Sequence, residues 1–301
     1  MSTPFAPHGI HAILYAFFDA QERLDRAAMR RQVELCIAAG VDGIAALGLA
    51  TEVAKLTEAE RRSLMDWVSQ DVAGRAPLGF TIFGNSVAEQ VAQVRHAEAV
   101  GANWVILQPP MAGNYAPAEY VDFFGRVADT TALPVAIQNA PAYLGRGLSS
   151  DEIASLADAH PNIRVIKGEG PAIDIARLVE TCGSRLKVFN GRGGLEFTDN
   201  LRFGCAGLIL APDLVDYAVK AYAAFHTGDD AGAETVYRST LPAITFVMQS
   251  IETLICYGKR LFALRAGLVV HDRAPALRPT EAGMAVLNRL AAELGPFGRR
   301  I

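Results

Sequence analysis

The chain has 301 residues, 51% of them hydrophobic and 20% charged, with a formal net charge of -4 at pH 7. That composition supports a large folded core and excludes disorder. The slight acidity and the lack of any basic run remove the electrostatic basis for binding nucleic acid or an anionic membrane, so the expected partner is a small molecule.

The leader, residues 1–11, has no basic stretch followed by an apolar core, and a cytoplasmic protein is expected. The longest uncharged interval, 99–118, is interrupted by Asn103, Gln108, Pro109, Pro110, Gly113, Asn114 and Pro117, which a membrane helix would not accept. Cys36, Cys182, Cys205 and Cys256 stand singly and the histidines are dispersed, so neither a zinc site nor a disulfide framework is indicated. No metal and no cofactor is expected.

In chain order, the apolar stretch 9–18 reads as a first strand. Residues 25–39 read as a helix with Ala28, Met29, Val33, Cys36 and Ile37 on one face and Gly40 as its stop. A second strand at 43–47 precedes a helix at 57–72, whose signature is Thr57 as cap and Glu60 as its capping-box partner. Strand 77–83 leads to a helix opened by Ser86, with Glu89 three residues on. Further short strands are expected at 103–108, 133–138, 163–167, 186–190 and 207–210, each followed by a helix-length segment.

Eight buried strands alternating with helices predict an α/β fold, a TIM (β/α)8 barrel over residues 1–225. A dinucleotide-binding sheet would need a glycine-rich turn after the first strand, and Asp19-Ala20-Gln21-Glu22 has none. Residues 226–301 read as a C-terminal helical extension: helices at 229–256, 259–266 and 280–294, separated by Gly258, Gly267, Pro275 and Pro279. The uncharged run 239–251 is apolar enough to be buried against the barrel or a second subunit.

A barrel of this kind carries its chemistry at the C-terminal ends of the strands. There the chain supplies Thr51 and Glu52, Asn85, Gln108, Gln138 and Asn139, Lys167 and Glu169, and Asn190 and Arg192. Of its five lysines, Lys167 alone ends an apolar run. Burial disfavours the charged form of an amine, which suits a nucleophile that must attack a ketone near neutral pH. Glu169 lies two residues on, so extended backbone would place it on the same face. Glu52 reads as a cap of the helix that follows it.

These residues resemble the dihydrodipicolinate synthase and N-acetylneuraminate lyase superfamily of Schiff-base barrels over nearly the whole chain. The landmarks are Gly40-Val41-Asp42-Gly43, Gly48-Leu49-Ala50-Thr51-Glu52, Leu56-Thr57-Glu58-Ala59-Glu60-Arg61, Asn139-Ala140-Pro141, the strand ending at Lys167, and Gly204-Cys205-Ala206-Gly207. The resemblance implies that Lys167 condenses with the ketone of a 2-keto acid, in a homo-oligomer, tetramer or dimer. The chain also departs from the pattern. Pyruvate-handling members usually carry G-T-T-G-E where this chain has Leu49 and Ala50, and a fifth-strand tyrosine where it has Gln138. The arginine usual in the synthase is replaced by Tyr143, with Arg146 nearby.

These departures point to the sugar-acid branch, typified by 2-keto-3-deoxy-L-arabonate dehydratase. The expected activity is dehydration of a 2-keto-3-deoxy sugar acid, with Lys167 as nucleophile, Glu169 as base and Gln138 orienting the keto acid. Thr51, Gly48, Asn139 and Asn190 are expected to contact substrate. Arg192 would either bind the distal end of the substrate or pair with a neighbouring loop. The alternatives are a pyruvate-dependent aldolase and a ligand-binding member that has lost turnover.

Overall fold

The computed structural model describes residues 6–298; the first five residues of the leader and the last three of the chain lie outside it. Eight parallel strands close into a barrel, each paired with the next and the last with the first. They are β1 (Gly9–Ile13), β2 (Gly43–Ala46), β3 (Leu78–Ile82), β4 (Trp104–Leu107), β5 (Val135–Asn139), β6 (Ile163–Gly168), β7 (Lys187–Asn190) and β8 (Gly207–Leu210). This is the expected (β/α)8 barrel. Its strands are buried on both faces because helices cover the outside and side chains fill the inside. The register sets Gln138 beside Lys167 and Gly168 beside Asn190, so three strand ends meet at one level.

Local signals act largely as read. Thr57 and Glu60 form the reciprocal capping box of helix Glu58–Val72. Ser86 caps helix Val87–Ala99, whereas the Glu89 carboxylate reaches past it to the Asn85 N–H. β1 ends earlier than the apolar stretch suggested. Beyond Leu14 the chain leaves the ladder because the Gln32 side chain clamps Tyr15, accepting from its N–H at 2.9 Å and donating to its carbonyl at 3.0 Å. Residues 14–18 stay fully buried without being strand.

The C-terminal region differs more. The helix expected at 229–256 is Asp230–Val247, and the chain restarts at Ile251–Thr253 behind a reciprocal Ser250–Thr253 cap. It then runs through a π-helical turn, Leu254–Gly258, straight into helix Lys259–Ala266. Gly258 therefore separates nothing. It is a point of close approach, since a Cβ there would lie 2.5 Å from the Tyr15 hydroxyl. Helix Glu281–Leu294 follows, capped by Thr280 as expected. Among the described residues no single helix is long and apolar enough to cross a membrane.

Arg265 supplies a buried ion pair that fastens this extension to the barrel. Arg265 grips Asp216 of helix Val215–His226 at both nitrogens, 2.6 and 3.0 Å, and donates to the carbonyls of Asp213 at 2.7 Å and Gly295 at 2.9 Å. Every polar atom of the fork is used, which is what makes a fully desolvated pair tolerable.

Asp213, in the turn after β8, is fully buried and accepts from the Tyr15 hydroxyl at 2.8 Å. Burial pushes its carboxyl up to about 6, against the Tyr15 hydrogen bond, which works the other way. A carboxyl raised above its unfolded value contributes stability that is complete below about pH 4 and lost as pH rises through its folded value, about 3 kcal/mol in all. His11, buried inside the barrel and lowered to about 4 chiefly by burial, runs oppositely, its contribution being lost as pH falls. The two oppose each other over one window. Asp213→Asn keeps an acceptor for Tyr15 and removes the first effect. Urea titrations are expected to show the variant gaining about 3 kcal/mol on the parent between pH 4 and pH 7. A difference that stays constant across that range would contradict the burial effect.

Candidate active site

The site is built from the end of β6. Lys167 is 2% exposed, and its Nζ lies 3.0 Å from Oε1 of Glu169, itself 5% exposed. Between them Gly168 faces outward: a Cβ there would lie 2.7 Å from Ile175 of the covering helix Ala172–Cys182. Alternation therefore returns Glu169 to the inner face, as the two-residue spacing required. From β5, Gln138 Nε2 donates to Glu169 Oε2 at 2.7 Å, while the Asn139 carbonyl accepts from the Glu169 N–H at 3.1 Å. Lys167, Glu169 and Gln138 thus converge. Gln138, expected to orient the keto acid, instead holds the carboxylate; its own Oε1 is buried without a partner.

Gly191, just past β7, completes the packing. A Cβ there would lie 2.8 Å from Glu169 Oε1 and 2.9 Å from Lys167 Cε. Gly191→Ala is expected to lower kcat/KM by about 10²-fold through sub-ångström displacement of the two groups, with the thermal midpoint little changed. Wild-type kinetics in this variant would show that the close packing is not needed.

The pair opens into a cavity of about 20 Å³, room for about one water, lined by Ile13, Leu49, Ala50, Tyr143, Gly191 and Met248 among others. Met248, Ile251 and Leu254 wall the cavity from the C-terminal region, the first from the break after helix Asp230–Val247 and the others from the helical turns that follow it. Gly193 has a φ of 60° and admits Met248, whose sulfur would collide with any Cβ at that position.

The other expected contacts are redirected. The Thr51 hydroxyl is buried and donates to the Leu14 carbonyl at 2.5 Å, so it cannot also donate to a substrate. Gly48 packs against Ile13, and its carbonyl accepts from Thr51 N–H at 3.0 Å. Leu49 and Ala50 face the cavity instead, and among the described residues neither backbone N–H has a partner. Asn139 clamps Leu148, donating at 3.0 Å and accepting at 2.8 Å. Asn190 is spent on Gly170, Asn200 and the Arg192 N–H. Arg192 pairs with Glu196 at 3.1 Å, a partner in its own loop rather than a neighbouring one. Arg146 is tied to the carbonyls of Pro110 and Gly113, each at 2.7 Å.

Glu52 does not cap its helix. With φ at 56°, it turns inward to Lys55 at 2.6 Å and to Lys259, which also donates to the Ala16 carbonyl at 2.9 Å. Burial pushes Lys259 below the usual lysine range, and Glu52 pulls it back. The chain thus buries two lysines completely, and only Lys167 lines the cavity. Sequence reasoning missed Lys259, and Met248 and Tyr143 as cavity walls. The glycines of 191–194 were the available signal that something packs closely there.

Residues 6–291 match the model of the dihydrodipicolinate synthetase family. The chain belongs to this family. It is a lyase by family and by its relatives' names. It is 28% identical to a protein of Azospirillum brasilense named L-2-keto-3-deoxyarabonate dehydratase, over 98% of this chain and 97% of that protein. It is 29% identical to "Probable 2-dehydro-3-deoxy-D-pentonate aldolase YjhH" of Escherichia coli K12, over 85% of this chain and 87% of that one. Among solved structures, YagE of Escherichia coli K12, a family member in complex with pyruvate, superposes with a TM-score of 0.89 at 25% identity, covering 95% of this chain and 98% of that one.

Proposed function

We propose that this family member dehydrates a 2-keto-3-deoxy sugar acid through a Schiff base on Lys167. The observation that carries the reading is the 3.0 Å contact between Lys167 Nζ and a Glu169 carboxylate fixed from behind by Gln138. Glu169 accepts the ammonium proton, the neutral amine adds to C2, and the departing hydroxyl takes that proton back from Glu169 and leaves as water, giving the iminium and a carboxylate again. C3 is then two bonds from the nitrogen, so a carboxylate in hydrogen-bond contact with that nitrogen reaches the C3 hydrogen. Loss of this proton gives an enamine that expels the C4 hydroxyl.

Retro-aldol cleavage would need a base on the C4 oxygen, one atom farther out. The fifth-strand position is an amide here and does not titrate. The free N–H groups of Leu49 and Ala50 suit the substrate carboxylate, in the role expected of Thr51. The name of the Azospirillum relative agrees with this reading.

The test combines borohydride trapping with product analysis over a panel of 2-keto-3-deoxy acids. An adduct mapped to Lys167 and a product that keeps every carbon are expected. Release of pyruvate would make the protein an aldolase, and no adduct with any keto acid would remove both enzyme readings.

A further inference from the structure

Expulsion of the C4 hydroxyl needs a proton, which neither Gln138 nor the enamine nitrogen of Lys167 can supply and which Glu169 could supply only by handing back the proton it took from C3. The cavity contains another donor. Tyr143 lies on the short helix Pro141–Leu144 that follows β5, and its side chain lines the cavity with Lys167, Glu169 and Gly191. Its loop is held at both ends, by the Asn139 clamp on Leu148 and by Arg146 on the carbonyls of Pro110 and Gly113. The Arg192 guanidinium, paired with Glu196, is near enough to the phenol to favour its ionised form.

The geometry points to Tyr143 as the acid that protonates the departing C4 hydroxyl, with Arg192 stabilising the phenolate it becomes. This assignment rests on the dehydratase reading above. In the step, the enamine nitrogen re-forms its double bond to C2, the C2–C3 π pair becomes the C3–C4 double bond, and the C4–O bond breaks. The oxygen takes its bonding pair and the phenolic proton and leaves as water. The phenolate, half-buried, regains a proton from solvent at its open edge, and no redox partner is involved. Burial, and after it the Glu169 carboxylate, push the phenol above the ordinary tyrosine range, so it is protonated and ready to donate when substrate enters; Arg192 works the other way. Arg192 is then of use only as negative charge develops on the phenol oxygen.

Tyr143→Phe keeps the ring and its packing and removes only the proton. Dehydration is expected to slow by about 10²- to 10³-fold. Borohydride trapping at Lys167 should persist, and substrate recovered from deuterated water should carry deuterium at C3, because the enamine forms and returns. A substrate with fluoride at C4 tests the role directly, since fluoride leaves without taking a proton. The variant should eliminate fluoride at a rate near that of the unaltered protein.

An equal loss on both substrates would make Tyr143 structural and overturn the assignment. Unchanged dehydration by Tyr143→Phe would overturn it too, and would assign the proton return to Glu169. If the unaltered protein forms no adduct or releases pyruvate, the dehydratase reading itself falls and takes the assignment with it.

Discussion

Lys167→Ala is expected to lose at least about 10⁴-fold in kcat/KM, about 5 kcal/mol of transition-state stabilisation, together with all borohydride-trapped adduct. The size follows from what the amine does, since every later step runs through the iminium and no other group in the cavity can form one. Lys259 is the internal control. It is as deeply buried as Lys167, yet Glu52 and the Ala16 carbonyl hold it away from the cavity. Mapping the adduct to Lys259, or finding turnover in Lys167→Ala within tenfold of the parent, would sink the assignment. Truncation also strands the Glu169 carboxylate, and an orphaned buried charge can cost about 3–5 kcal/mol of stability. The double variant Lys167→Ala, Glu169→Gln removes that charge. If the double variant is folded and inactive, the loss is chemical.

Lys167 and Glu169 were legible because Lys167 lies near the end of β6 and Glu169 directly follows that strand. Alternation carried one residue past the end of β6 sets their common face, and the apolar run before Lys167 sets its burial. The barrel was legible for a similar reason, since parallel strands buried on both faces write themselves as short apolar runs at helix-length intervals. Thr51, Asn139 and Asn190 have the residue types and the place expected of substrate contacts. Their hydrogen bonds nevertheless go to Leu14, Leu148 and Asn200, partners no local pattern names.

The C-terminal wall of the cavity was hidden differently. The uncharged run 239–251 reads as one helix, and what breaks it is the Ser250–Thr253 cap, a weaker signal than the Ser/Thr-to-Glu form that marked Thr57–Glu60. Tyr143 was visible as a departure from a family arginine. That it faces the cavity depends on the loop clamped by Asn139 and Arg146.

Glu169→Gln is expected to leave imine formation detectable and to slow C3 proton exchange by about 10²- to 10⁴-fold. The substitution suits its neighbours. Gln138 now donates to Glu169 at 2.7 Å and keeps a buried Oε1 without a partner, so turning its amide over lets it accept from a glutamine at 169 and preserves the contact. Shape and hydrogen bond survive, and only the basicity is lost. The readout is deuterium at C3 of recovered substrate, which reports the proton transfer apart from dehydration. Exchange within about threefold of the parent would assign the base elsewhere in the cavity. Set beside Tyr143→Phe, the experiment divides the reaction at the enamine. A protein lacking the base stalls before it and does not exchange, whereas one lacking the acid stalls after it and exchanges without turning over. A single carboxylate serving as both base and acid would give the first pattern at position 169 and no effect at position 143.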